Sequence, residues 1–467
     1  MSIHPVSARD KALNVNLDSR HYGAFAEIGA GQEVVRWFFR AGGAAGTISK
    51  SISAYDMKVS DAIYGPCARY VCRERLQSML DHEQQLNLER LSAQRGADTA
   101  FFAFADTVSA RSYRGNHECH GWMGIKFQTR PGGDDNQIII HVRMLDIENA
   151  LQQEALGIVG VNLVYGACFL NNEPEKLLES LLDGLTTDRI EIDLIEFSGT
   201  ELDHIDNRVM SLHLVQLGLT GAAMFGANGE VLQPAEVLYK KPVLIERGRF
   251  RPVTHVNLDL ARSALRRFEA EWANDVAPGE TVSIMEITMS NLMSGGEVDL
   301  GDFISRAEVL AATGHTVMIS NFSEYYRLAA YLFRYTQRQI GLAMGSLNLH
   351  AIFDESYYAK LDGGILESFG RLFRNNLKLF IYPHMDQATG KLVTVESMQV
   401  PEPLQHLYAH LVGRRCIVQL TDFNQQLLGI YSPDVLGKIG SGGNEWESMV
   451  PAEVAQVIKS RRLFGYK

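Results

Sequence analysis

Residues 282–321 read VSIMEITMSNLMSGGEVDLGDFISRAEVLAATGHTVMISN, and this stretch decides the predicted fold class. Two short apolar runs, VSIMEITMS (282–290) and TVMISN (316–321), flank DFISRAEVLAATG (302–314). The apolar residues of the middle segment recur at helical spacing, whereas the flanking runs are short and rich in β-branched residues. This order of strand, helix and strand is typical of parallel strands that are covered by helices.

The same alternation extends from GIVGVNLVYGACF (157–169) to LKLFIYP (377–383). Most of its apolar runs are nearly continuous, as expected for parallel strands that are buried on both faces. A βα barrel and a doubly wound open sheet both fit this order, and the large number of strands favours the barrel. We therefore predict an α/β protein with a βα-barrel-like core over residues 151–386.

The regions outside this core show other patterns. Residues 1–99 are predicted to be mainly helical, with helices over residues 33–40 and 66–94. Residues 100–150 contain short apolar or alternating runs separated by Gly, Pro, Asn and Asp. These features predict an antiparallel meander that leads into the barrel. Residues 387–467 are predicted to form a C-terminal segment.

The composition indicates a globular protein of a reducing compartment. Hydrophobic residues make up 46% of the chain and charged residues 21%, which excludes a disordered or fibrous protein. The five cysteines are odd in number and widely spaced, unlike a secreted disulfide framework. The N-terminal residues lack a signal-peptide pattern, and no segment has the apolar length of a membrane span. We therefore predict a cytoplasmic protein with no membrane partner.

The charge balance bears on the partners of the protein. The net charge is −11, from 55 acidic and 44 basic residues. Because nucleic acids attract basic surfaces, this balance argues against nucleic acid as a partner. Large barrels commonly assemble with identical copies, so we also predict a homo-oligomer.

Several carboxylates stand inside or at the end of predicted strands. Glu191, Asp193 and Glu196 lie in RIEIDLIEF, and Glu286 lies in VSIMEITMS. Because an unpaired buried carboxylate is costly, each needs a charged partner, a metal ion or a raised pKa. General acid/base chemistry or magnesium binding is one interpretation, and a structural ion pair is the other. Glu196 and Glu286 are the favoured catalytic candidates, because both precede loops rich in Ser, Gly or Asn.

The densest basic segment is LYKKPVLIERGRFRPVTHVNLD (238–259). Its cationic candidates for binding phosphate are Lys240, Lys241, Arg247, Arg249, Arg251 and His255. If the segment is extended, its three arginines share one face, and their guanidinium groups suit a phosphate or a carboxylate. Pairing with surface carboxylates, or a subunit contact, is the alternative.

Two further clusters are weaker candidates. In SNFSEYYRLAAYLFR (320–334), Asn321 and Arg327 flank a predicted helix start, where backbone N–H groups bind anions; helix capping is the alternative. His117, Cys119 and His120 stand in RGNHECHGW, near His141 on a predicted strand. Their spacing lacks the second pair of a zinc signature. We retain His120 as a candidate general base, and a hydrogen-bonded hairpin is the alternative.

Two glycine-containing motifs do not complete a nucleotide-binding signature. GAGQEV (29–34) has only the first two glycines of a dinucleotide fingerprint and lacks a convincing strand before it. AAGTISKS (44–51) ends like a phosphate-binding loop, but Ala44 and Ser49 replace the two glycines that the loop needs. Neither motif is therefore predicted to bind a nucleotide.

Long segments of the chain resemble a large bacterial protein family. The segments are HYGAFAEIGAGQEVVRWFFRAGGAAGTISKSISAYDMKVSDAIYG, ECHGWMGIKFQ, RIEIDLIEFSG, DNRVMSLHLVQLGLTGAAMF, LYKKPVLIERGRFRPVT and GGILESFGRLF. Members of this family carry the label nicotinamide or nicotinate mononucleotide adenylyltransferase, so the resemblance implies nucleotidyl transfer. The phosphate motif of such enzymes, His/Thr-x-Gly-His after the first strand, has its nearest counterpart in Thr313-Gly314-His315. That string stands late in the chain and ahead of a predicted strand.

These observations lead to one functional hypothesis and one rival. The hypothesis is a metabolic enzyme, such as a transferase, that acts on a small phosphorylated or nucleotide-like substrate. The Lys/Arg cluster would hold the anion, and the strand-end carboxylates, with Mg²⁺ as a conceivable cofactor, would move protons or charge. The rival is a non-catalytic scaffold or ligand-binding protein that keeps an enzyme-like fold.

Overall fold

The computed structural model describes residues 6–111, 119–294, 296–386 and 388–467. The chain divides into two compact units, Met1–Thr220 and Gly221–Lys467, called here the N-terminal and C-terminal units. The division falls inside residues 151–386, which the sequence analysis treats as one core. Both units combine helices with a sheet, so the predicted mixed α/β class is confirmed.

The described residues of the N-terminal unit form seven α-helices and six strands. Its helices are α1 (Ala8–Leu17), α2 (Val34–Ala41), α3 (Met57–Tyr64), α4 (Arg73–Arg95), α5 (Asn149–Phe169), α6 (Pro174–Ser180) and α7 (Asn207–Gln216). Its strands are β1 (His21–Gly29), β2 (Ile48–Ile52), β3 (Ala100–Ser109), β4 (His120–Gln128), β5 (Asp135–Met144) and β6 (Ile190–Ser198).

These six strands form one mixed sheet in the order β2-β1-β3-β4-β5-β6. Strand β1 pairs in parallel with β2 and β3, whereas β3, β4, β5 and β6 pair in antiparallel fashion. The antiparallel meander expected within residues 100–150 is present as β3, β4 and β5. The region expected to be mainly helical also contributes β1 and β2 to this sheet.

One apolar run differs from its predicted structure. GIVGVNLVYGACF was expected to be a strand, but it lies inside the 21-residue helix α5. Most of the helix is buried, so its apolar residues show no periodicity that separates a helix from a strand. Gly160 permits close packing against α2, since a Cβ atom at this position would lie 2.3 Å from Cγ2 of Val34.

The core of the N-terminal unit lies on one face of its sheet. Phe25 and Met123 from the sheet pack there with Phe38 of α2 and Val159 of α5. Helix α4 covers the opposite face, where a Cβ atom at Gly124 would lie 3.0 Å from Cδ1 of Leu80. Each large side chain buried in this way contributes about 1.5–3 kcal/mol.

In the C-terminal unit, the part of the chain that the structure describes forms ten α-helices and twelve strands. Its helices are α8 (Pro234–Leu238), α9 (His255–Glu271), α10 (Met289–Leu292), α11 (Leu300–Ala312), α12 (Tyr325–Leu332), α13 (Ser346–Ile352), α14 (Gly364–Leu372), α15 (Gln405–Gly413), α16 (Ser432–Ser441) and α17 (Ala452–Arg461). Its strands are β7 (Ala222–Phe225), β8 (Val231–Leu232), β9 (Val243–Arg247), β10 (Val282–Thr288), β11 (Met293–Ser294), β12 (Glu297–Val298), β13 (Thr316–Ser320), β14 (Ile340–Gly345), β15 (Lys378–Tyr382), β16 (His384–Met385), β17 (Leu392–Val393) and β18 (Ile417–Gln419).

The main sheet of this unit has the order β18-β15-β14-β9-β10-β13-β7-β8. The strands from β18 to β13 are parallel, and β7 and β8 pair in antiparallel fashion at one edge. The chain runs from β9 outward to β10 and β13, then returns to the other side of β9 for β14, β15 and β18. This is the 3-2-1-4-5-6 order of a Rossmann-type doubly wound sheet.

The barrel favoured by the sequence analysis is not shown by this strand pairing. In the described residues, β18 and β8 stand at the two ends of the sheet order and do not pair with each other. Crossover helices and nearly continuous apolar strands are common to barrels and open sheets, so the hydrophobic pattern alone does not distinguish the two. Among the described residues, no helix combines the length and the hydropathy that crossing a bilayer requires.

Helices cover both faces of the parallel strands. Ile245 and Leu342 belong to a core shared with α12 and α14, whereas Leu244 and Ala343 belong to a core shared with α9. Neighbouring residues of one strand therefore enter opposite cores, as the pleat of a strand requires. Burial on both faces explains why these strands read as continuous apolar runs.

Candidate functional site

The candidate site lies at the carboxyl ends of the parallel strands in the C-terminal unit. Strands β9 and β14 are neighbours, but the chain leaves them in opposite directions along the sheet. In open α/β sheets, ligands bind in the crevice outside the strand ends at such a reversal of strand order. A cavity of about 490 Å³ lies here, and its lining includes Arg247 at the end of β9, Thr288 at the end of β10, Ser323 after β13 and Asn348 after β14.

Arg247, which lines this cavity, is held in a buried ion pair. Nε and Nη2 of Arg247 donate to the two carboxylate oxygens of Glu286 at 2.8 and 3.0 Å. Oγ of Ser320 donates to the same carboxylate at 2.5 Å, and Nη1 of Arg247 donates to the carbonyl oxygen of Ser323 at 2.8 Å. Burial lowers the pKa of Arg247, but the charge and the hydrogen bonds of Glu286, together with nearby acidic groups, outweigh burial, so this pKa is raised.

The ion pair occupies the charged groups of both Arg247 and Glu286. The side chain of Glu286 is fully buried and that of Arg247 is 9% exposed, and the ring of Tyr325 lies 4.3 Å from Cζ of Arg247. Their hydrogen-bonding groups already bind each other, the hydroxyl group of Ser320 and the backbone carbonyl of Ser323. The structure therefore places Glu286 in a positioning ion pair, which is the alternative that the sequence analysis kept beside general acid/base chemistry.

The three arginines of the basic segment do not share one face. Strand β9 ends at Arg247, and Phe250 adopts a φ of 48°, which turns the chain away from an extended path. Nε of Arg251 lies 2.6 Å from Oδ1 of Asp302, a carboxylate that also binds Arg306. Arg251 is thus paired outside the cavity.

Arg249 is the arginine that is available to a ligand. It is exposed and lines the cavity, and no carboxylate of the described residues forms an ion pair with its guanidinium group. Its backbone carbonyl accepts a hydrogen bond from Nη1 of Arg306 at 3.1 Å, which anchors the loop that carries it. A loop fixed at its backbone with an unpaired guanidinium is suited to binding an anion.

The other lining groups are mainly hydroxyl, amide and aromatic groups, with one carboxylate, that of Glu324. Ser290, Asn291 and Asn348 line the cavity beside Tyr357, which is 58% exposed. Burial raises the pKa of Tyr325 to about 12, so this phenol stays neutral near pH 7. Such a cavity combines two guanidinium groups and one carboxylate with neutral hydrogen-bonding groups and rings.

The remaining cationic and polar candidates of this unit lie outside the cavity lining. Lys240 and Lys241 precede β9, so they lie at the amino end of the strand whose carboxyl end carries Arg247. Six residues of strand span roughly 20 Å, which separates these lysines from the cavity. His255 begins α9, and Asn321 follows β13 with an exposed side chain. Arg327 lies in the first turn of α12.

The candidates of the N-terminal unit form separate contacts. Glu196 accepts from Nη2 of Arg73 at 2.5 Å, so it too is in an ion pair. His120 and His141 meet through Nδ1 and Nε2 at 3.0 Å, and Nδ1 of His141 lies 2.6 Å from Oδ1 of Asp193. This Asp–His–His chain can orient the ring of His120 for proton transfer. His117 lies outside the described residues.

Sequence reasoning missed a pair of buried carboxylates in the N-terminal unit. Glu27 on β1 stands directly opposite Asp106 on β3. The carboxylate of Glu27 accepts from the backbone N–H groups of Val34 and Val35 at 2.9 and 3.2 Å. Burial raises the pKa of Glu27 to about 7, and burial with the charge of Glu27 raises that of Asp106 well above its ordinary value. The sequence carries a sign of this pair, because Glu27 and Asp106 interrupt apolar runs as Glu286 does.

This pair makes a stability prediction. Because the pKa of Asp106 is raised in the folded state, its contribution to stability is present at low pH and is lost as the pH rises. Asp106→Asn is therefore expected to raise the thermal midpoint of the N-terminal unit above pH 8 relative to wild type, and to have less effect near pH 5. Circular dichroism melts at both pH values measure this, and a larger gain at pH 5 would contradict it.

The two units were compared with known proteins. No family model and no curated protein matches the chain. Among solved structures, the chain is similar to the competence/damage inducible protein CihA from Agrobacterium tumefaciens, at 16% identity and a TM-score of 0.26. The match covers 36% of this chain and 99% of the other chain. A likeness of this size supports no conclusion about function.

The described residues offer no arrangement of side chains that would bind a metal ion. In the part of the chain that the structure describes, no group of three or more His, Cys, Asp or Glu side chains is placed to hold a metal ion. The carboxylates considered from sequence are instead joined to cations, as Glu286 is to Arg247. Binding of Mg²⁺ would therefore require coordination by the phosphate oxygens of a bound ligand.

Proposed function

We propose that the C-terminal unit binds a small phosphorylated or nucleotide-like metabolite in the cavity at the carboxyl ends of β9, β10 and β13. The observation that carries this proposal is Arg249, an exposed guanidinium group that lines the cavity without a carboxylate partner in the described chain. The ion pair of Arg247 and Glu286 holds the strand ends beside it. Arg249 would bind the phosphate.

The size and lining of the cavity support this class of ligand. A volume of about 490 Å³ falls in the range of small-molecule sites. Asn291 and Asn348 could hydrogen-bond hydroxyl groups of a sugar, and the exposed ring of Tyr357 could stack on a base. The location at the reversal of strand order is where doubly wound sheets hold nucleotides.

The same lining favours transfer of a phosphoryl or nucleotidyl group as the reaction. Such reactions depend mainly on positioning and on stabilising negative charge. Arg249 supplies positive charge, whereas Glu286 is held in its ion pair and is poorly placed to exchange protons. Mg²⁺ would enter with the phosphates of the ligand. A transferase is also what the family resemblance implies, and the homo-oligomer stays a prediction from sequence.

Binding measurements with an arginine variant test the proposal. In Arg249→Ala, the affinity for ADP or for nicotinamide mononucleotide is expected to fall roughly 10- to 100-fold, because one charge-assisted pair of hydrogen bonds to phosphate is lost. Isothermal titration calorimetry measures the change. Arg249→Lys should keep the charge but lose the forked geometry, and so show an intermediate affinity.

Arg262→Ala is the matched control, because Arg262 is an exposed arginine of the same unit on α9, outside the cavity lining. This variant should bind as wild type does. Equal affinities of wild type and Arg249→Ala for every phosphorylated ligand would contradict the proposal. Failure of all proteins to bind any of them would favour the non-catalytic rival.

A further inference from the structure

A second cavity of the C-terminal unit is lined by arginines and was not anticipated as a site. It has a volume of about 400 Å³ and lies along α12 and the end of α14. Its lining residues are Phe322, Tyr326, Arg327, Ala330, Tyr331, Arg334, Arg371 and Arg374. Half of them are arginines and none is acidic, in a chain whose net charge is −11. We call this cavity the arginine groove.

The arrangement of α12 explains how the groove forms. Arg327 lies in the first turn of α12, and Arg334 follows in the turn just after the helix ends at Leu332. Ala330 stands between them and leaves open space where a larger side chain would fill the groove. Arg371 and Arg374 stand at the end of α14 and complete the lining.

The carboxylates of the neighbourhood balance these charges only in part. Nη2 of Arg371 donates to Glu367 at 2.5 Å, and Nη1 of Arg327 lies 3.6 Å from Oε2 of Glu324, too far for a good hydrogen bond. Arg374 is exposed, and its guanidinium carbon lies 5.9 Å from the centre of the Phe333 ring. Among the described residues, no carboxylate forms an ion pair with Arg374.

Ordinary helix electrostatics account for only part of this cluster. Arginines near the end of α14 interact favourably with the negative end of the helix dipole, which explains Arg371 and Arg374. Arg327 stands in the first turn of α12, where the helix dipole disfavours a cation. An anion in the groove would offset this unfavourable placement and would use guanidinium donors on both helices.

We propose that the arginine groove binds a small molecule that carries a pyrophosphate group. Several forked guanidinium groups around one cavity match the many oxygens of linked phosphates better than a single carboxylate. The rings of Tyr326 and Tyr331 contact arginines of the groove, at 5.7 Å from Arg371 and 5.5 Å from Arg334, and so help to hold the guanidinium groups in place. The proposal is independent of the cavity that contains Arg249.

The two cavities lie on either side of one segment of chain. Phe322, Tyr326 and Arg327 line the arginine groove, whereas Ser323, Glu324 and Tyr325 line the cavity of Arg249. Pyrophosphate itself could enter either cavity. The test must therefore remove the first site before it measures the second.

Inorganic pyrophosphate is the probe, and the full-length Arg249→Ala protein is the starting point. Isothermal titration calorimetry of this variant should show one pyrophosphate site. Adding Arg327→Gln and Arg374→Gln should weaken that site at least roughly ten-fold, because two charge-assisted contacts are lost. Adding Arg262→Gln instead should leave it unchanged. Both arginines of the groove are exposed, and equal thermal midpoints would show that the variants fold.

The outcomes separate this proposal from the one above. Absence of pyrophosphate binding by Arg249→Ala, or unchanged binding after the two glutamine substitutions, would overturn the arginine groove as a site while leaving the first cavity intact. Tighter binding of a hexaglutamate peptide than of pyrophosphate would overturn the assignment of the ligand. Weaker pyrophosphate binding after Arg327→Gln and Arg374→Gln, with unchanged binding after Arg262→Gln, would support both the site and its ligand.

Discussion

Glu286→Ala is expected to lower the free energy of unfolding of the C-terminal unit by about 3–5 kcal/mol. The substitution leaves the guanidinium group of Arg247 buried without its carboxylate, and it also removes the acceptor of Ser320. Breaking one side of a buried ion pair costs more than the pair contributes, because a buried charge stays uncompensated. Urea denaturation followed by tryptophan fluorescence measures the loss.

Two variants make this test specific. Asp422→Ala breaks an ion pair with Arg266 that is exposed, with the aspartate side chain 76% accessible, and should change stability by less than about 1 kcal/mol. Arg247→Met combined with Glu286→Leu removes both charges and should recover much of the lost stability. A loss below about 1 kcal/mol for Glu286→Ala would show that the pair does not hold the strand ends together.

Glu246→Gln is expected to remove a large pH dependence of stability from the same unit. Glu246 precedes Arg247 on β9 and faces α9, where Oε1 accepts from Nδ2 of Asn257 at 3.2 Å. Oε2 has no hydrogen-bond partner among the described residues. Burial raises the pKa of this carboxyl group from 4.5 to about 8, so the folded protein keeps it protonated near neutral pH.

The direction of the effect follows from the two pKa values. Below about pH 4.5, the carboxyl group of Glu246 is protonated in the folded and the unfolded state, so it adds no pH dependence to the free energy of unfolding. Between pH 4.5 and 8 the unfolded state loses its proton while the folded state keeps it, so stability falls as the pH rises. A shift of this size corresponds to a loss of up to about 5 kcal/mol.

Urea midpoints at pH 5 and pH 8.5 measure this loss. Wild type should lose stability between the two pH values, and Glu246→Gln should lose much less, because the amide does not ionise. Glutamine keeps the length of the side chain and can still accept from Asn257. Parallel losses in wild type and variant would show that Glu246 does not carry the pH dependence.

Local structure was predicted well where the hydrophobic period was clear. The runs 282–290 and 316–321 became β10 and β13, and 302–314 became α11, each within a few residues of its predicted bounds. These segments have one strong pattern each, and period 2 or 3.6 follows from the geometry of the chain itself. Helix α5 was missed because burial on nearly all sides removes that period.

The candidate site was predicted in part. The basic segment and Glu286 were singled out from sequence, and the structure brings Arg247, Arg249 and Glu286 together at one cavity. Which arginine remains available could not be read from the segment, because it depends on Glu286 and Asp302, which are distant in sequence. The arginine groove was missed for the same reason, since its members come from two helices separated along the chain.

By itself, the sequence determined the α/β class, the type of its clearly periodic segments and the cations that a ligand site could use, because period and composition are local properties. Only the tertiary structure decided that β14 returns beside β9, which opens a doubly wound sheet and creates the cavity at their ends. It also decided that Glu286 pairs with Arg247, whereas Arg249 lines the cavity without a carboxylate partner among the described residues. Strand order and ion pairing depend on contacts between distant residues, and no local pattern encodes them.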